Sequence, residues 1–149
     1  MAHAAFAAAN GVELVDLDTA LREADFVSLH APLTPQTANL VDGPALAKMK
    51  RGAYLVNTAR GGLVDEEALA AAVRSGHLGG AAVDVLRVQG EGSPSALIGV
   101  PGILVTPHMA TFSREAMARV AMAAAGSVVA ALRGESPPGL VNPQAWRPG

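Results

Sequence analysis

Asn57-Thr58-Ala59-Arg60-Gly61-Gly62-Leu63-Val64-Asp65 follows directly on Ala53-Tyr54-Leu55-Val56, an apolar run of strand length. That junction decides the fold. An arginine at a strand's end, followed by two glycines, sits where backbone can approach a ligand closely. Three other strand-like runs also stop at a polar residue. Phe26-Val27-Ser28-Leu29 stops at His30, Ala81-Ala82-Val83 at Asp84, and Ile103-Leu104-Val105-Thr106-Pro107 at His108. In an open parallel sheet, ligands bind outside the carboxyl ends of the strands. Polar residues closing several strands in register therefore point to one site.

Outward from this junction, helical and strand patterns alternate, the signature of an α/β fold with a parallel sheet. Residues 3–9 read as a helix stopped by Asn10-Gly11. Glu13-Leu14-Val15 reads as a short strand, and Asp18 as the cap of a helix over Thr19–Ala24. The strand Phe26–His30 leads into a loop, Ala31-Pro32-Leu33-Thr34-Pro35. A short helix near Gly43–Lys50 precedes strand Ala53–Thr58. Asp65 caps a helix over Glu66–Ser75, with Glu66 and Glu67 where the helix dipole favours negative charge. Strand Ala81–Val85, a Gly/Ser/Pro-rich loop over 87–102 and strand Ile103–Thr106 follow. The last helix spans about Ser113 to Leu132. Its stripe of Met117, Val120, Ala121, Ala124, Val128 and Leu132 has helical spacing and reads as a core helix. Packing on a partner or another domain is the alternative. Residues 1–133 form one domain, and 134–149, with four prolines, an extended or frayed tail.

The bulk properties exclude several function classes. The 149 residues are half hydrophobic and 16% charged, which suits one folded domain and not a disordered chain. A net charge of −2 with scattered Lys and Arg removes the main electrostatic argument for nucleic acid. Without cysteine there is no disulfide, thiolate nucleophile or Cys-bound metal. No His/Asp/Glu group has metal-ligand spacing, and no GxSxG elbow supports serine-hydrolase chemistry. The most apolar stretch, Val120–Leu132, is shorter than the roughly 20 residues a membrane span needs. No signal peptide shows, and a cytoplasmic protein is expected.

Each candidate residue has a chemical reason and a plainer alternative. Arg60 presents a planar, permanently charged fork that can grip a carboxylate and polarise an adjacent carbonyl; an ordinary surface arginine in a turn is the alternative. His108 can exchange a proton with a carbonyl oxygen as hydride arrives or leaves, or be a capping or core histidine. Asp84 can accept a hydrogen bond from an amide, or close a turn. His30 with Pro32 is explained equally by a tight turn. His3 and His77 have no site context.

Together these residues resemble the cofactor-binding domain of the NAD-dependent D-2-hydroxyacid dehydrogenases, the group of D-lactate, phosphoglycerate, glyoxylate/hydroxypyruvate and formate dehydrogenases. The likeness covers roughly 11–143. It rests on His30-Ala31-Pro32-Leu33-Thr34 with Thr37, on Asn57–Asp65, on Gly80-Ala81-Ala82-Val83-Asp84-Val85, on Thr106-Pro107-His108 and on Leu140-Val141-Asn142-Pro143. It implies a partial Rossmann-like parallel sheet with flanking helices. It also implies an oxidoreductase moving hydride between NAD(H), with NADP as the alternative, and a small 2-hydroxy or 2-oxo carboxylate. Arg60 would be the carboxylate-binding catalytic arginine and His108 the acid/base. Thr58, Ala59 and Asp84 would hold the nicotinamide end. Ala31, Pro32 and Thr37 would line the cofactor groove, and Met109, Ala110 and Thr111 would lie near the nicotinamide.

Two departures qualify the resemblance. The family usually has a glutamate five residues after the Asp84 position, paired with the histidine; here Gln89 stands there. Gln89 suits formate-type chemistry, which needs no proton relay, or an impaired hydroxyacid enzyme, or a loop in which Glu91 substitutes. Second, no GxGxxG occurs, so the βαβ unit that would hold the dinucleotide phosphates is lacking. In the 3-2-1-4-5-6 strand order this removes the middle of the sheet. Strand Glu13–Val15 must then find a new neighbour or stay loose, and Phe26–His30 becomes an exposed edge. The expectation is a truncated chain stabilised by homo-oligomerisation, such as a dimer, or by a partner chain supplying the missing half. The alternative function is a catalytically inactive remnant or interaction module that retains the fold.

Overall fold

The computed structural model of the protein describes residues 4–90, 92 and 94–147. They divide into two compact units, Met1–His108 and Met109–Gly149.

The first unit is built on a four-stranded, all-parallel sheet in the order β1-β2-β3-β4. Its strands are β1 (Phe26–Leu29), β2 (Tyr54–Asn57), β3 (Gly80–Val83) and β4 (Ile103–Val105). Helix α1 (Ala4–Ala9) opens the unit. Helices α2 (Leu17–Glu23), α3 (Gly43–Lys48) and α4 (Glu66–Arg74) follow, with α2 packed on α3 and α3 on α4. Successive side chains of a strand point to opposite faces, and the register separates them cleanly. Val27, Leu55, Ala81 and Ile103 align across the sheet, as do Leu29, Asn57, Val83 and Val105. The apolar ones among these residues meet Leu21, Leu46, Leu63, Leu69 and Val73 in one hydrophobic core. On the opposite face, Phe26 and Tyr54 stack at 5.4 Å between ring centroids. Phe26 and Leu104 there are 72% and 63% exposed. β1 lies at the edge of the sheet, as expected.

Three expectations are corrected. Glu13-Leu14-Val15 forms no strand; this stretch is irregular and exposed. A strand needs neighbours to satisfy its backbone, and β1 pairs only with β2. The cap of α2 is Asp16, whose Oδ1 accepts from the Thr19 N–H at 2.7 Å. Asp18 sits inside the first turn and pairs with Lys48 at 2.6 Å and Arg22 at 3.3 Å. The last helix, α5 (Arg114–Leu132), is no core helix: none of its residues is buried. It starts on Ser113, whose hydroxyl accepts from the Ala116 N–H at 3.1 Å. By length and composition alone it is long and apolar enough to cross a membrane. The apolar periodicity signals a face meant for burial, but carries no information about what covers it. In the tail, Pro143–Ala145 forms a 3-10 turn.

Asp16 gives a pH-dependent prediction. Hydrogen bonds from the Thr19 backbone and side chain hold its carboxyl below the ordinary value of 3.8, with a smaller contribution from Arg22. A folded-state value below the unfolded one means the cap is fully stabilising above pH 3.8 and is lost as pH falls through the lowered value. Amide exchange in α2 is therefore expected to accelerate on acidification in the wild type. In Asp16→Asn, which caps without titrating, this component of the acceleration should vanish.

Candidate active site

Because all four strands run the same way, their carboxyl ends form one rim. Leu29, Asn57, Val83 and Val105 stand at one level, and the residues that follow them are His30, Thr58, Asp84 and Thr106. The ladder continues one step past the strands. The Asp84 N–H donates to Asn57 O at 3.0 Å, and the Thr106 N–H to Val83 O at 2.9 Å. The strand-end residues thus share one edge of the sheet.

Arg60 is placed by Asn57. The Asn57 side chain is buried at the end of β2. Its Nδ2 donates to Arg60 O at 3.0 Å, and its Oδ1 accepts from the Ala59 N–H at 3.0 Å. This clamp closes the turn that presents Arg60, whose Nη1 donates to Ala59 O at 2.6 Å. Arg60 is itself exposed. It lines an opening of about 780 Å³ with His30, Ala31, Pro32, Leu33 and Ala59. Gly61 then lies flush against the backbone of Leu86 and Arg87, with no space for a β-carbon. The arginine turn and the segment after β3 are thereby locked together.

Asp84 and His108 share a second cavity of about 640 Å³, with Leu86, Gln89, Val105 and Thr106 among its walls. Asp84 is buried, and its Oδ1 accepts from the Thr106 hydroxyl at 2.5 Å. His108 has a left-handed backbone, φ 54°, uncommon for a residue other than glycine and a frequent mark of a functional position. Its Nδ1 pairs with Gln89 Oε1 at 2.9 Å. An amide oxygen only accepts, so Nδ1 carries the hydrogen and Nε2 of the neutral ring is the free proton acceptor.

The remaining candidates fall as follows. Thr37 is not among the lining residues. Its hydroxyl donates to Pro32 O at 2.7 Å and accepts from the Thr34 N–H at 2.8 Å, so it shapes the Ala31–Pro32 loop from behind. Thr58 is exposed on the rim. Met109, Ala110 and Thr111 open the second unit and are exposed there. His30 Nε2 is 2.8 Å from Ser28 Oγ. His77 Nε2 donates to Leu46 O at 3.1 Å, a structural tie. His3 and Glu91 lie outside the described residues. Sequence reasoning missed Asn57, Thr106 and Gly61 as positioning elements. Asn57 carried a signal: an asparagine at a strand end readily bonds the backbone two residues on.

A nicotinamide ring fits this geometry. Asp84 is a buried acceptor suited to a carboxamide N–H, and Leu86, Ile98, Val105 and Pro107 offer apolar walls. Among the described residues no glycine-rich strand-to-helix turn offers N–H groups to a pyrophosphate, so the fit is to the reactive end of the cofactor only.

Comparison with known proteins agrees. Residues 2–110 match the family described as "D-isomer specific 2-hydroxyacid dehydrogenase, NAD binding domain". The chain is 49% identical to D-3-phosphoglycerate dehydrogenase of Mycobacterium leprae over 91% of its length and 26% of the relative's. It is 44% identical to glyoxylate reductase of Thermofilum pendens over 91% of its length and 40% of the relative's. The NAD-complexed D-isomer specific 2-hydroxyacid dehydrogenase from Lactobacillus delbrueckii ssp. bulgaricus superimposes with a TM-score of 0.76 at 34% identity. That match covers 86% of this chain and 43% of the other. The chain thus spans between a quarter and about two fifths of the length of these relatives. With the strand-end residues gathered on one rim and the family's match running through most of the first unit, the chain belongs to the D-isomer specific 2-hydroxyacid dehydrogenases, as NAD-binding-domain sequence.

Proposed function

We propose that this rim takes part in hydride exchange between NAD(H) and a small 2-hydroxy or 2-oxo acid. The observation that carries the reading is the parallel register, which sets the ends of β2, β3 and β4, and with them Arg60, Asp84 and His108, along one edge. Arg60 grips the substrate carboxylate through its two-pronged guanidinium and polarises the neighbouring carbonyl. His108 gives a proton to the carbonyl oxygen in reduction and takes it through Nε2 in oxidation. Asp84 orients the carboxamide. When bound, the nicotinamide supplies or accepts the hydride. Among the described residues no turn offers N–H groups to the dinucleotide phosphates, so the role proposed is at the nicotinamide end.

Transfer of deuterium from labelled NADH to glyoxylate, hydroxypyruvate or pyruvate tests this. Label in the 2-hydroxy acid product, absent in His108→Ala, is expected. The second reading, a fold-retaining module without turnover, is favoured by the lack of a phosphate-binding turn. It predicts neither label transfer nor NADH binding in a fluorescence titration. Light scattering separates a self-associating chain from a stable monomer.

Gln89 bears on the substrate. A neutral amide orients the imidazole but does not stabilise imidazolium as a carboxylate would, which suits hydride transfer from formate better than reduction of a 2-oxo acid. Gln89→Glu is expected to raise 2-oxo acid reduction by about 10²-fold, the lower end of general acid/base contributions. An unchanged or lower rate in a folded variant would remove the proton relay from the mechanism.

A further inference from the structure

The segment from Arg87 to Ser95 leaves β3 and returns toward Leu97, which is buried in the core. Both its ends rest on one carboxylate. The Arg87 N–H donates to Glu66 Oε1 at 2.6 Å, and the Ser95 hydroxyl donates to Glu66 Oε2 at 2.7 Å. Ser95 Oγ in turn accepts from the Leu97 N–H at 3.2 Å. Between these ends lie Gly90 and Gly92, with φ of 131° and 74°. Glycine allows such conformations freely and imposes none, so neither glycine fixes where Gln89 lies. Gln89, two residues beyond the Arg87 anchor, is the partner of His108 Nδ1.

The helix dipole alone does not account for Glu66. Glu67 also lies in the first turn of α4 and satisfies the same field, whereas Glu66 commits both oxygens to the loop. We infer that Glu66 is a positioning residue for His108. By holding the Arg87 N–H two residues before Gln89, it keeps Gln89 where the amide oxygen keeps hydrogen on Nδ1 and leaves Nε2 to accept a proton. The functional meaning rests on the acid–base role proposed for His108; the linkage itself is a matter of geometry. The Arg87 side chain has its own hold, donating to Val64 O at 2.9 Å and to the Asn39 side-chain oxygen. Loss of Glu66 therefore loosens the segment while the sheet and core stay in place.

The test is the side-chain tautomer of His108, read by long-range proton–nitrogen NMR on the full chain at a pH where the ring is neutral. The signal is assigned by its loss in His108→Asn. The wild type is expected to show the Nδ1–H form. Gln89→Ala should shift it to a mixture rich in the Nε2–H form. Glu66→Ala should produce the same shift, although residue 66 does not touch the ring. Glu66→Gln, which keeps an acceptor for Arg87 and a polar partner for Ser95, should restore the Nδ1–H form. Retention of a pure Nδ1–H ring in Glu66→Ala would overturn the assignment. If Glu66→Ala does not fold, Ser95→Ala releases one end only: a partial shift supports the linkage and no shift overturns it. The readout needs neither cofactor nor turnover, so a chain that transfers no hydride leaves this result interpretable.

Discussion

Gly61→Ala is expected to destabilise the first unit by about 3 kcal/mol or more, the upper end of the range for overpacking. A β-carbon at this position would stand 2.1 Å from the Leu86 carbonyl carbon, 2.2 Å from its oxygen and 2.4 Å from the Arg87 nitrogen. All three are backbone atoms, so no rotamer change relieves the overlap. Neither side is free to retreat, because Asn57 clamps the Arg60 turn and Glu66 holds the Arg87 N–H. Gly62→Ala is the control. Its β-carbon would meet the Leu33 side chain at 2.8 Å, and Leu33 is exposed enough to swing aside. A cost below about 1 kcal/mol is expected there. Urea unfolding monitored by circular dichroism measures both. A Gly61→Ala midpoint matching that of the wild type, with an unchanged slope, would show that the turn and the segment after β3 are not in rigid contact.

The second large effect is on turnover. Arg60→Ala is expected to lower kcat/KM for a 2-oxo acid by about 10²–10⁴-fold. Two hydrogen bonds to a charged partner are lost, each worth about 1.5–3 kcal/mol, and every ~1.4 kcal/mol is tenfold in rate. Arg60→Lys should recover only part of the loss, since lysine restores the charge but not the planar fork. Stability should barely change, because the Arg60 side chain is exposed and, among the described residues, bonds only its neighbour's carbonyl. Steady-state kinetics on folded variants decide the matter. Wild-type kcat/KM in Arg60→Ala would take the substrate carboxylate away from this residue.

Much of this architecture is legible in the amino-acid sequence where the forces are local. The apolar runs ending at His30, Asn57-Thr58, Asp84 and Thr106 are strands because each is short, aliphatic and bounded by turn residues. Asp65 is readable as a cap because its carboxylate needs only the Ala68 N–H three residues on. The errors arise where distant residues decide. Asp18 reads as a cap by residue type, yet Asp16 holds that place and Asp18, inside the first turn, pairs with Lys48, thirty residues away. Glu13-Leu14-Val15 has strand composition, but strand formation also requires an adjacent strand. The stripe on α5 declares an apolar face and nothing about its cover.

The sequence by itself determined the kind of sheet, the order of its elements and the chemical types at the strand ends, because backbone propensity, capping and period-two burial act within a few residues. Tertiary structure alone decided that Gly61 must be bare against Leu86 and that one carboxylate, Glu66, bonds both Arg87 and Ser95. Those contacts join residues twenty or more positions apart, or depend on packing to a fraction of an ångström, and no local preference encodes either.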